Sequence, residues 1–185
     1  MTDAHPPSRL PISYWVIPGR LLAGEYPFSH RDVEARGRLH ALLDAGIRSF
    51  VDLTESADGL RAYGAVILEL AAARGLDTHY RQMSIRDLHI PTVDHMELIL
   101  QHIEDELAAG YPLYVHCWGG IGRTGTVVGC WMCEKDGRSA DEAFARIAQL
   151  RAGTRDVDIP SPQTLQQREF VTKWKRRGAD DHRAR

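Results

Sequence analysis

Tyr114-Val115-His116-Cys117-Trp118-Gly119-Gly120-Ile121-Gly122-Arg123-Thr124-Gly125 passes from an apolar strand pattern, Pro112 to Cys117, into a helical one that runs from about Arg123 to Lys135. Three glycines in four residues, Gly119, Gly120 and Gly122, let the backbone between strand and helix curl with its N–H groups turned inward. A concave nest of this kind at a helix N-terminus binds an oxyanion of phosphate shape. Cys117 lies at the mouth of the nest, where the helix dipole and the inward amides both favour a thiolate. Arg123 follows six residues later, in the first helical turn. Its planar fork reaches back over the same cavity and can hold two phosphate oxygens at once.

Outward from this loop the chain alternates. Tyr14 to Ile17 and Arg20 to Ala23 flank Pro18-Gly19 and read as a hairpin. Ser29 is placed to cap a helix ending near Ala45 and Gly46. Ile47 to Leu53 reads as a strand, Leu60 to Ala73 as a helix closed by Gly75, and Thr78 to Ile85 as a strand. Thr92 caps an amphipathic helix whose stripe is Val93, Met96, Ile99, Leu100, Ile103 and Leu107, and Gly110 ends it. Ser139 and Glu142 form a capping box for a helix ending near Gly153. Ser161-Pro162 is expected to open a last helix running to about Lys175. The pattern predicts an α/β fold in a single domain, residues 13–175: a central, mostly parallel sheet of about five strands flanked by helices. Sites are then expected on the loops after Leu53, Ile85 and Cys117. Residues 1–12 read as a loose lead-in and 176–185 as a charged tail.

The 185 residues suffice for one well-buried domain, and 43% hydrophobic with 26% charged residues is an ordinary globular balance. A formal net charge of −2 argues against a nucleic-acid binder. No apolar run approaches the length of a membrane span, and MTDAHPPSRLP lacks the basic start and apolar core of a secretory signal. Three cysteines, an odd number, argue for a reducing, cytoplasmic setting. Nine histidines are scattered with no His-x-x-x-His pair, so neither metal nor other cofactor is expected. The charge, span and signal readings also leave no membrane partner. Oligomeric state is not legible.

His-Cys, five residues, then Arg-Thr-Gly resembles the signature of the cysteine-dependent protein tyrosine and dual-specificity phosphatases, of the compact atypical type. His116, Cys117, Gly120, Gly122, Arg123, Thr124 and Gly125 all fit, and the similarity covers roughly Tyr14 to Lys173. The resemblance implies a phosphomonoester hydrolase in which Cys117 forms a cysteinyl-phosphate, Arg123 clamps the phosphoryl group and Thr124 helps the thiolate leave. It places the phosphate among Trp118, Gly119, Gly120, Ile121, Gly122 and Arg123. SIRDLHIPT, Ser84 to Thr92, resembles the family's acid loop and puts the general acid on Asp87. Gln163-Thr164-Leu165-Gln166-Gln167 resembles the water-positioning segment, with Gln163 and Gln167 matching. His116 is expected to point away from the nest and to order the loop.

Other readings compete. Gly120-x-Gly122-x-x-Gly125 also fits the dinucleotide fingerprint, but the second strand with its acidic end is missing. A phosphate-binding module without catalysis would lack Cys, Arg or Asp, and all three are present. A sulfur-transfer or arsenate-reducing enzyme is disfavoured by Thr124 and the glutamines. Cys130 and Cys133 read as helix packing. Asp52 reads as structural and Glu55 and Asp58 as rim residues, and all three as the alternative acids. No lysine lies in the nest loop, which favours phosphotyrosine in a protein, then phosphoserine or phosphothreonine. Arg81, Arg86 and His89 leave open a basic rim for an inositol phosphate or other small phosphorylated molecule.

Overall fold

The computed structural model describes residues 10–28 and 32–180, with side chains over 10–28 and 35–174. The elements are β1 (Ser13–Ile17), β2 (Leu21–Gly24), α1 (Asp32–Asp44), β3 (Ser49–Asp52), α2 (Gly64–Ala72), β4 (His79–Gln82), α3 (Val93–Ala108), β5 (Leu113–His116), α4 (Gly122–Lys135), α5 (Ala140–Leu150) and α6 (Leu165–Asp180). A single 3₁₀ turn, Ser56–Asp58, follows β3.

The five strands form one sheet in the order β1-β2-β5-β3-β4. Only the β1–β2 hairpin is antiparallel; β2–β5, β5–β3 and β3–β4 are parallel. His116 at the end of β5 pairs with Gly24 on one side and Asp52 on the other, and Asp52 pairs with Gln82. The segments leaving these strands therefore emerge together at the C-terminal edge, where open α/β sheets carry their sites.

Alternation along β5 sends its residues to two cores. Leu113, Val115 and Cys117 join the larger cluster with Ile99, Ile103, Val127, Val128, Ile147 and Val171, beneath α3 to α6. Tyr114 joins Leu39, Leu42, Phe50, Tyr63 and Ile67 on the opposite face, under α1 and α2. α4 is buried from Gly122 to Cys133, packed between the sheet and its helical neighbours. A side chain at Gly129 would press on Val171 of α6, and one at Gly125 would collide with Ser161. Those glycines let α6 and the segment before it close over α4.

Most expected elements are present, and both capping devices form: His95 N donates to Thr92 Oγ1, and Ser139 and Glu142 make both bonds of the box. Several boundaries differ. α2 starts at Gly64 rather than Leu60, because Tyr63 is driven into the core and Arg61 O accepts from Tyr26 Oη. β4 stops at Gln82, although Met83 N and Ile85 N still donate to Asp52 O and Leu53 O. α6 opens at Leu165, not at Ser161-Pro162. Its start is a reciprocal cap in which Gln167 N donates to Thr164 Oγ1 and Thr164 N donates to Gln167 Oε1. Ser161 Oγ instead donates to Ile121 O. α6 also continues past Lys175, to Asp180. Ser29, most of the lead-in and residues 181–185 lie outside the described residues. No helix among the described residues is long and apolar enough to cross a membrane.

Candidate active site

The nest is held from behind. Tyr26 N donates to Trp118 O at 2.8 Å, Leu53 N to His116 O at 2.9 Å and Ser161 Oγ to Ile121 O at 2.8 Å. Among the described residues, none of the N–H groups of Trp118 to Ile121 donates to a backbone carbonyl. Gly120 adopts φ +70°, and a Cβ there would strike the backbone of Gly24 and Glu25, so only glycine fits. Gly122 has no such freedom to spare either: its missing Cβ would lie 3.0–3.4 Å from the side-chain amides of Gln167 and Gln163.

Cys117 is buried at the start of this loop and makes no disulfide. Arg123, only 1% exposed, turns back from α4. Its Nη1 donates to Asp58 Oδ2 at 2.6 Å and to Ile85 O at 3.1 Å. Burial works against its charge, and attraction to Cys117, Asp58 and Asp87 outweighs that burial, so the guanidinium is held more firmly cationic than usual. Nε and Nη2 are buried and have no hydrogen-bond partner. Nη2 does lie 3.0 Å from Asp87 Oδ1, as an ion pair without hydrogen-bond alignment. A buried guanidinium with an unfilled edge is costly unless a ligand completes it.

Asp87 thus reaches the site, on a loop built around Leu88 at φ +59°. His89 N donates to Arg86 O, and the His89 ring bonds Asp87 O. Gln167 Nε2 donates to His89 O at 3.2 Å and ties the loop that carries Asp87 to the start of α6. The Oε1 of Gln167 accepts from both Gln163 N and Thr164 N. Thr124 is fully buried, with Oγ1 3.4 Å from Gly24 O. The Trp118 side chain, 54% exposed, stands at the mouth rather than in the nest.

His116 points to the other face of the sheet, as alternation requires. Its Nε2 is 2.5 Å from Tyr63 Oη, and its ring packs against Tyr26, Tyr63 and Tyr114. Burial lowers its pKa; Asp52 opposes this from 4.0 Å. Asp52 is structural: it accepts from Thr54 N, Thr54 Oγ1 and Tyr80 Oη. Cys130 and Cys133 are buried in the core, and burial pushes the Cys130 thiol well up. The Arg81 guanidinium sits by His102 of α3, at 3.5 Å. Among the described residues, no group of three or more His, Cys, Asp or Glu could hold a metal ion.

Asp58 is the residue that sequence reasoning undervalued. The sequence puts it at the rim or among the alternative acids; its side chain is 4% exposed and pairs with Arg123. The one local signal was Asp58-Gly59, a turn closed by a glycine at φ +66°.

This chain belongs to the family described as polymorphic toxin system, DSP-PTPase phosphatase, which it matches over residues 29–138, more than half of its length. It is a phosphatase of the protein tyrosine and dual-specificity class. Among curated proteins it is 27% identical over 168 residues to the "Phosphatidylinositol 3,4,5-trisphosphate 3-phosphatase and protein-tyrosine-phosphatase PTEN1" of Arabidopsis thaliana, covering 89% of this chain. The chain spans 37% of that relative and between 8% and 32% of three other curated relatives. The crystal structure of Tk-PTP in the active form superposes with a TM-score of 0.71 at 25% identity, over 91% of this chain and 99% of that one. PTPMT1 in complex with PI(5)P shares the fold, with a TM-score of 0.69 at 19% identity over 91% and 98%.

Proposed function

We propose that this phosphatase hydrolyses phosphomonoesters in two covalent steps without a metal. The unfilled, buried edge of Arg123 beside Cys117 and the unpaired nest amides carries this reading. In the first step the Cys117 thiolate attacks phosphorus, the ester P–O bond breaks, and Asp87 passes its proton to the leaving oxygen. The phosphoryl oxygens rest on the amides of Trp118 to Gly122 and on Arg123. In the second step water attacks the cysteinyl-phosphate, Asp87 takes the water's proton, the S–P bond breaks and inorganic phosphate leaves. Thr124 stabilises the departing thiolate. Gln163, braced by Gln167, places the water. His116 holds the loop from behind.

The favoured substrate is a phosphotyrosine-bearing protein, with phosphoserine and phosphothreonine next. Arg123 is the lone cation in the loop from Cys117 to Gly125, which suits a single phosphate group. The three thiols favour a cytoplasmic setting. Arg86 and His89, both exposed beside Asp87, together with the phosphoinositide named for two relatives, sustain a second reading on inositol phosphates.

Rates on phosphotyrosine peptides, phosphoserine peptides and inositol phosphates decide between the two. Full activity is expected in EDTA, with loss on vanadate or thiol alkylation. A rate lost on chelation and restored by a divalent cation defeats the metal-free mechanism.

A further inference from the structure

Four carbonyls at the nest are engaged by neighbouring groups. His116 O accepts from Leu53 N at 2.9 Å, Trp118 O from Tyr26 N at 2.8 Å and Ile121 O from Ser161 Oγ at 2.8 Å, while Cys117 O lies 3.4 Å from His116 Nδ1. A trans peptide is planar, with its C=O and N–H on opposite sides. A carbonyl drawn one way therefore turns the next residue's N–H the other way. Ser161 makes the short side-chain contact of this set, and it acts on the peptide that joins Ile121 to Gly122.

That peptide opens α4. Ile121 O takes two donors, Ser161 Oγ and, at 3.1 Å, Gly125 N. Gly122 N, the first amide of the helix, donates to no backbone carbonyl among the described residues. Hydrogen bonds that share a peptide polarise one another, so two donors on the carbonyl strengthen the N–H opposite it.

The place of the hydroxyl is prepared from two sides. Ser161 is buried, and a Cβ at Gly125 would collide with its Oγ and lie 3.2 Å from Pro162 Cα and N. Glycine is a poor residue for a helix interior, and here it leaves the gap that the hydroxyl fills. The segment that leads to Ser161 is fastened as well. Buried Arg151 donates through Nη1 to Ile159 O and through Nη2 to Asp156 O, both at 2.8 Å, and Arg155 Nη2 meets Glu25 Oε2 at 3.1 Å.

We infer that Ser161 is a positioning residue: its hydroxyl fixes and polarises the Ile121–Gly122 peptide, so that the Gly122 N–H is held ready for a phosphoryl oxygen. This inference rests on the nest being the phosphate site. A donor fixed before the ligand arrives costs no ordering on binding and no reorganisation as charge develops. The role is separate from that of Gln163 and Gln167, although Gln163 is only two residues on. The glutamines act on the water of the second step, whereas a nest amide acts on the phosphoryl oxygens in both steps.

The experiment compares Ser161→Ala, Gly125→Ala and the double variant with the wild type. Each is measured for tungstate affinity by calorimetry, for kcat and kcat/KM over an aryl phosphate series, and for its thermal midpoint. Ser161→Ala is expected to weaken tungstate and to lower kcat/KM by about tenfold each, the scale of one hydrogen bond, with an unchanged dependence on leaving-group pKa. Gly125→Ala is expected to do the same by displacing the hydroxyl, and to cost little further once Ser161→Ala has removed it. A lower thermal midpoint with wild-type tungstate affinity and kcat/KM overturns the inference, because it leaves Ser161 a role in stability alone. A loss confined to kcat, with a burst of aryl product, overturns it by moving the effect to the glutamines and the second step. Equal further losses from Gly125→Ala in both backgrounds overturn it too, since the glycine would then serve something other than the hydroxyl. If Gly125→Ala does not fold, the Ser161→Ala measurements decide alone. A wild type that binds no tungstate would instead remove the nest reading beneath the inference.

Discussion

Cys117 and His116 are neighbours in sequence and lie on opposite faces of one sheet, and the two faces are built on opposite plans. On the nest face the polar groups are left incomplete: among the described residues the backbone N–H groups of the loop find no carbonyl, and two nitrogens of Arg123 find no hydrogen-bond partner. On the far face the donors and acceptors around His116 and Asp52 are satisfied. Tyr63 Oη meets His116, Tyr80 Oη and Thr54 meet Asp52, Tyr114 Oη meets Glu25 O, and four tyrosine rings seal the cluster. Buried unmet polarity is expensive, so it persists where a ligand repays it.

The sharpest way to break this contrast is to strike the nest face. Cys117→Ser is expected to reduce turnover by on the order of 10⁶-fold, the usual scale for losing a nucleophile, while tungstate still binds. Retention of a few percent of activity would end the covalent mechanism. Arg123→Lys should lose about 10³–10⁵-fold, since a point charge cannot span two phosphoryl oxygens as the fork does.

Asp87→Asn comes next. Tyrosyl or alkyl phosphates should slow by roughly 10²–10⁴-fold and an activated aryl phosphate far less. If leaving-group sensitivity is unchanged in this variant, the acid lies elsewhere.

The far face should respond in stability rather than chemistry. Tyr63→Phe strands a buried His116 nitrogen and should cost about 1–3 kcal/mol, with kcat within about tenfold of wild type. A kcat loss like that of Asp87→Asn would mean that the two faces are not separate.

His116 gives the mildest test. Burial holds its pKa below the 6.5 of the unfolded side chain. Between those two values the unfolded chain carries a proton that the folded one lacks, so stability is intact above pH 6.5 and falls as pH drops. Denaturant unfolding from about pH 7 down to pH 5 should show this slope, and His116→Gln should flatten it. Equal slopes in the two proteins would assign the effect to another group.

The legible parts were those with local causes. The glycine spacing around Ile121, the Thr92 cap and the Ser139–Glu142 box all act within a few residues, and each formed as read. The misread boundaries had distant causes. Tyr63 breaks the helical pattern of Leu60 to Ala73 because the aromatic cluster on the far face takes its ring. Ser161 has the right local chemistry to cap α6, yet its hydroxyl goes to Ile121 O in the nest, and Thr164 caps instead.

The linear order of residues by itself determined the α/β alternation, the glycine turn after β5 and the placing of Cys117 and Arg123 at its two ends, because a strand, a tight turn and a helix start need only neighbours. Tertiary structure alone decided what surrounds Arg123. Asp58 and Asp87 lie 65 and 36 residues before it, on loops that follow two different strands. Only the parallel register of β5, β3 and β4 brings those strand ends to one edge. Coulomb attraction falls off with distance, whatever the sequence separation, so a carboxylate that read as rim in the chain became the buried partner of the guanidinium in the fold.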